Sequence, residues 1–159
     1  MRNLRIDELF IGAWVRRFST DGCTLSAPMR VCGLSARGRV QIETADDEDA
    51  MVMNAPVEEL CPVQMDEDSM RGFGFVRVPK GENVWMTSVR DIRLTVSLRQ
   101  KFGRQECRRA AISGRFACWN EEIRYIHELQ AWWRDKVLMP YGLELCLSWR
   151  GGVKEREEL

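Results

Sequence analysis

Apolar residues cluster at short intervals over the first third of the chain. Segments 10–18, 29–34, 39–44 and 51–54 are rich in Val, Ile, Phe and Met, with Asp21-Gly22, residues 35–38 and the acidic run 46–49 between them. Short apolar runs separated by turn formers read as strands. At a spacing of roughly ten residues they predict a small barrel or a curled sheet. Pro56 and Pro62 close the segment around a one-turn element at 57–60, and 66–71 predicts a short helix ended by Gly72. Strand-like runs follow at 73–78 and 84–88, separated by the turn Pro79-Lys80-Gly81. Over 92–98 the alternation is clean: Ile92, Leu94, Val96 and Leu98 share one face, Arg93, Thr95 and Ser97 the other, the period of a half-buried strand. Residues 110–119 predict one more strand, kinked or turned at Gly114.

The strongest helical signal covers about 121–139. Asn120 suits an N-cap, and Glu121 and Glu122 suit the positive end of the helix dipole. Trp119, Ile123, Ile126, Trp133 and Val137 recur at helical spacing, and Pro140 with Gly142 marks the stop. On a wheel counted from Trp119 at about 100° per residue, Gln130 falls at about 20°, inside the apolar stripe, and His127 at about 80°, on its margin. A buried amide requires a partner. The expectation is therefore a buried Gln130 bonded to neighbouring backbone, with His127 partly exposed at the edge. Residues 143–149 predict a final strand and 151–159 a charged tail. The whole reads as an α+β protein in two parts, 1–64 and 65–159, the second an antiparallel sheet with one long amphipathic helix.

Charge narrows the function classes. The 159 residues carry 24 acids and 24 bases, which opposes nucleic-acid or membrane binding driven by bulk charge. No apolar run approaches the roughly 20 residues of a membrane span, and the opening residues alternate charged and apolar types, unlike an export signal. A cytoplasmic location is expected. The charge is nevertheless segregated: residues 45–69 hold nine acids and no base, and 90–115 hold eight bases and two acids. Two solvated faces are the simplest account. The six cysteines, Cys23, Cys32, Cys61, Cys107, Cys118 and Cys146, include no Cys-x-x-Cys pair and are expected to be reduced thiols.

Chemistry-bearing motifs are sparse. His127 is the sole histidine, so no histidine relay or multi-histidine metal site can form within one chain. His127-Glu128-Leu129-Gln130-Ala131 opens like a zinc-protease motif but has alanine where the second ligand belongs. A cysteine–histidine dyad, and with it a thiol enzyme, remains a minor alternative. The run 46–49 opens like a calcium loop, but Met51 or Val52 stands where the loop's glycine is needed. Gly72-Phe73-Gly74 lacks the third glycine of a dinucleotide fingerprint, Arg77 replacing it. No metal and no cofactor are expected. The Trp132–Trp133 helix mixes Arg124, Arg134 and Lys136 with Glu121, Glu122, Glu128 and Asp135, a face that anionic lipid would not favour.

One motif points to RNA. Residues 71–78, Arg-Gly-Phe-Gly-Phe-Val-Arg-Val, follow the RNP1 pattern except at Val78, and Leu9-Phe10-Ile11-Gly12 resembles the start of RNP2. Phe73 and Phe75 would stack on bases and Arg71 would meet phosphate. About sixty residues separate the two stretches where about thirty-five are usual for the βαβ unit and its loops, and no amphipathic helix lies between them. Arg99, Lys101, Arg104, Arg108 and Arg109 supply the other candidate nucleic-acid surface.

Three stretches resemble a group of small proteins without established activity encoded by Bacteroidetes gut bacteria and their phages. Asp7-Glu8-Leu9-Phe10-Ile11-Gly12-Ala13-Trp14-Val15 is similar to that group's Leu-Arg-Ile-Gly-Asn-Trp-Val start, with Ala13 for its asparagine. Pro56-Val57-Glu58-Glu59-Leu60-Cys61-Pro62-Val63 is similar to its Pro-Ile-Glu-Glu-Leu-x-Pro-Ile segment. Ile123-Arg124-Tyr125-Ile126-His127-Glu128-Leu129-Gln130 resembles its Ile-Arg-Tyr-Val-His-x-Leu-Gln helix. The resemblance implies an SH3-like N-terminal β unit joined to an α+β part, and brings no catalytic residues. The function expected is binding of another macromolecule, by default a protein, without catalysis. Nucleic-acid binding through 90–115 or 71–78 is the alternative.

Overall fold

The computed structural model describes residues 4–19, 24–45, 49–79, 83–102, 105–114 and 118–151, with side chains throughout except at 99–102 and 105–107. The chain divides into two compact units, Met1–Val63 and Gln64–Leu159.

In the first unit β1 (Trp14–Arg17), β2 (Met29–Leu34), β3 (Arg39–Thr44), β4 (Val52–Pro56) and β5 (Leu60–Pro62) form one antiparallel sheet in the order β4-β3-β2-β1-β5. Period-two alternation drives Val31, Val40, Ile42 and Ala55 to one face, where they join Leu4, Leu9, Ala13, Val15 and Leu60 in the core. The opposite face carries Arg30 across from Glu43, Gln41 across from Asn54, and Arg39 across from Pro56. β2 bulges between Val31 and Gly33. The Gln41 side chain lies over Gly33, and a Cβ there would displace its Oε1, 2.5 Å away. The expected small SH3-like barrel is not closed. β4 and β5 share no ladder; the single 3-10 turn between them, Val57–Glu59, carries β5 round to pair with β1 instead.

In the second unit α1 (Glu67–Gly72) precedes an antiparallel meander of β6 (Val76–Arg77), β7 (Val84–Val89), β8 (Ile92–Phe102), β9 (Gln105–Ser113) and β10 (Cys118–Glu122), ordered β10-β9-β8-β7-β6. The Asp66 carboxylate accepts the Ser69 N–H at 2.8 Å and caps α1. Ile92, Leu94, Val96 and Leu98 are all buried, as the alternation requires, beside Trp85, Ala110 and Ile112. Asn83, buried at positive φ, accepts the Trp85 indole N–H at 3.0 Å.

The long helix is shorter and starts later than expected. Residues 118–122 are β10, paired to β9, so the strand expected at 110–119 is a hairpin and Asn120 caps nothing. The helix runs over 126–141: α2 (Ile126–Trp133), a π segment (Arg134–Leu138) and a last turn (Met139–Tyr141). Tyr125, extended, precedes it, and Gly142 at φ 70° ends it, donating its N–H to Leu138 C=O at 2.8 Å. Ile126, Leu129, Trp133 and Val137 are buried. Among the described residues no helix is long and apolar enough to cross a membrane. Residues 143–149 form no strand. They are held instead by the Trp133 indole N–H donating to Leu143 C=O at 2.9 Å, by Arg150 N–H donating to Gly72 C=O at 2.7 Å, and by Trp149 set edge-on to Phe73 with ring centroids 5.0 Å apart.

Candidate functional site

The RNP1-like stretch does not form a stacking platform. Arg71 and Gly72 end α1, Gly74 turns at φ 85°, and only Val76–Arg77 is strand, at the sheet edge. Phe75 donates its N–H to Met70 C=O at 2.9 Å, folding the chain back on α1. Phe73 and Phe75 are buried at 5% and 3% exposure, so neither ring presents a face to a base. The Arg71 guanidinium lies 5.6 Å over the Trp85 ring and 3.8 Å from Asp68. The RNP2-like residues are not a strand: Leu9 is buried and the chain turns through Ile11 and Gly12. They also belong to the first unit, whereas 71–78 belongs to the second.

The basic candidates are only partly described. Arg99 and Lys101 lie on β8, and Arg104 and the side chains of Arg99 and Lys101 fall outside the described residues. Arg108 and Arg109 are half-buried on β9, and Arg109 Nη2 donates to Asn120 Oδ1 at 2.8 Å. That contact ties β9 to β10.

The two polar helix residues exchange the places expected of them. His127 is buried at 3% exposure, its ring stacked on Tyr125 at 5.8 Å, and Gln130 is half-buried. Trp119 and Ile123 are strand and connecting segment and do not belong to the helical face. Without them that face centres nearer Leu129, Trp132 and Trp133, away from Gln130, while His127 is covered by Tyr125 from the segment before the helix.

Two of the described thiols, Cys32 and Cys61, are poorly suited to nucleophilic work. Cys32, Cys61, Cys118 and Cys146 are free, and Cys23 and the Cys107 side chain lie outside the described residues. Burial pushes the Cys61 thiol up in pKa, and its Sγ contacts Arg16 C=O at 3.7 Å. Cys32 is raised by burial and then by Glu43. Raised thiols are poor nucleophiles near neutrality. Among the described residues no three metal-ligating side chains converge; the calcium-like run 46–48 lies outside them.

The feature that sequence reasoning missed is the free edge of β4. Thr44 N–H donates to Met51 C=O and Val57 N–H to Gly38 C=O, both at 3.0 Å. In an antiparallel ladder this sets the phase: the main chains of residues 51, 53, 55 and 57 bond to β3, and those of Val52, Asn54 and Pro56 point away from it. β4 ends its sheet. From Ala50 to Val57 there is no charge, and Met51 and Val52 are 64% and 61% exposed. Met51 shares the face of Met53 and Ala55, the core face, yet among the described residues no strand covers it. The other edges are guarded: β10 by Glu121 and Glu122, β6 by its two-residue length, and β5 by complete burial. Edge status depends on which strands meet in the fold, so no local pattern in 51–56 announces it. Comparison with protein-family models, with curated proteins and with solved structures returns no match.

Proposed function

We propose that the chain works by binding another polypeptide rather than by chemistry, accepting an extended segment as an added strand along β4. The observation that carries this reading is an uncharged apolar edge whose Val52 and Asn54 amides and carbonyls face outward. Main-chain pairing would supply affinity, and the side chains flanking Met51 and Val52 selectivity. An SH3-like arrangement of the first unit is part of the same proposal, supported by the order β4-β3-β2-β1-β5 and the 3-10 turn before β5. So is membership of the bacterial and phage group whose three stretches the chain resembles.

The test is selection of a displayed random octapeptide library on the full chain. Val52→Pro removes an outward N–H without removing a bond to β3, and Val52→Lys guards the edge with charge. Enriched peptides should be strand formers that lose binding to both variants. Peptides that bind Val52→Pro as well as the parent, or no enrichment at all, would overturn the reading.

A further inference from the structure

The edge of β4 is complementary to itself, and we infer that its occupant is a second copy of this chain, paired antiparallel across a two-fold axis at Met53. This inference rests on the strand-addition reading and names the partner. An isologous contact requires that one patch match itself after a half-turn. With Met53 opposite its symmetry mate, Val52 faces the copy's Asn54, and Asn54 the copy's Val52. These are the two residues whose main chains point outward, so each pair exchanges both of its hydrogen bonds and four form in all. Pro56, which has no N–H to give, falls just beyond the ladder and ends it.

Side chains obey the same symmetry. On the core face, exposed Met51 meets the copy's Ala55 and the two Met53 side chains meet at the axis, extending the apolar layer built on Val40 and Ile42 over a residue now 64% exposed. At its ends, exposed Asp49 lies on one side, and two exposed bases outnumber one exposed acid, Glu58, on the other. Exposed Asp49 precedes β4, and exposed Arg39 stands across from Pro56 at its far end, with exposed Arg37 just before it. Antiparallel pairing brings Asp49 of one copy within about two strand spacings, roughly 10 Å between backbones, of the other's Arg39, close enough for the opposite charges to attract within a Debye length. Parallel pairing would place like charge beside like. An unrelated peptide would need this pattern of outward bonds, methionines and end charges supplied independently, whereas a second copy carries all three.

Sedimentation velocity of the full chain over a wide concentration range tests this. A reversible dimer of twice 18.5 kDa is expected, abolished in Val52→Pro and Val52→Lys while circular dichroism stays native. Asp49→Arg and Arg39→Glu should each weaken it by about tenfold, since the axis applies every change twice, and the double variant should recover most of the loss. A monomer at every concentration, or a dimer indifferent to the Val52 variants, overturns the inference. A monomeric chain that still captures library peptides through β4 sinks the second copy and leaves strand addition standing; failure of both experiments sinks both.

Discussion

Gly72 and Trp149 are coupled strongly enough for one substitution to change sign with its background. A Cβ on Gly72 would fall within the indole of Trp149, overlapping several of its ring carbons. Gly72→Ala therefore forces the ring off Phe73 or strains α1, an overpacking cost of about 1–3 kcal/mol. Alanine recovers up to about 1 kcal/mol of helix propensity, and the φ of Gly72 lies outside the left-handed range, so the backbone accepts it. The net expectation is a loss of about 1–2 kcal/mol. Trp149→Ala alone forfeits the edge-on pair with Phe73, about 0.5–1.5 kcal/mol, plus its share of burial. With the ring gone, Gly72→Ala meets no clash and should stabilise by some tenths up to about 1 kcal/mol. Urea unfolding of the four proteins by far-ultraviolet circular dichroism measures the cycle, and a coupling of about 2 kcal/mol is expected. Equal effects of Gly72→Ala in both backgrounds would show that Trp149 does not rest on Gly72.

Phe73→Ala with Phe75→Ala should unfold the second unit, each truncation costing about 3–5 kcal/mol; a stable double variant on thermal denaturation would revive the stacking-platform reading. His127→Ala should cost more than Gln130→Ala in chemical denaturation, about 2 kcal/mol or more against about 1, and the reverse order would restore the wheel anchored on Trp119. Under native conditions alkylation should reach exposed Cys118 and Cys146 before Cys61, read by peptide mass spectrometry. Because burial raises Cys61 in the folded state, its contribution to stability is intact below the ordinary thiol value of 9.0 and declines as pH climbs from there through the raised value. Cys61→Ala should flatten that alkaline decline, and an unchanged slope would contradict it.

What could be read from the chain was what local period decides. Ile92 to Leu98 alternate because one face of β8 is buried, and α1 is delimited locally by the Asp66 cap and by the turn through Gly74 at φ 85° just past its end. Trp119 and Ile123 misled because residues four apart share a face in a helix and in a strand alike, so β10 and the start of α2 blurred into one element. Residues 143, 145, 147 and 149 alternate like a strand, yet their anchors are Trp133, Gly72 and Phe73 rather than a ladder. Burial of the RNP1-like aromatics follows from Phe75 folding back on Met70 and from Trp149 reaching Phe73, contacts distant in sequence. The apolar character of 51–53 was visible, whereas its lack of a neighbour was not.

The seat of Trp149 on Gly72 also orders events in time. Synthesis runs from the amino end, and domains form as their residues emerge. In the first unit each strand from β2 to β4 pairs with the one made just before it, and only β5 must return to β1. α1 and Phe73 emerge early in the second unit but wait for almost all of it to be made before Trp149 and Arg150 arrive to cover them. A chain interrupted before Trp149 therefore carries its apolar seat uncovered, which distinguishes it from one translated through that residue.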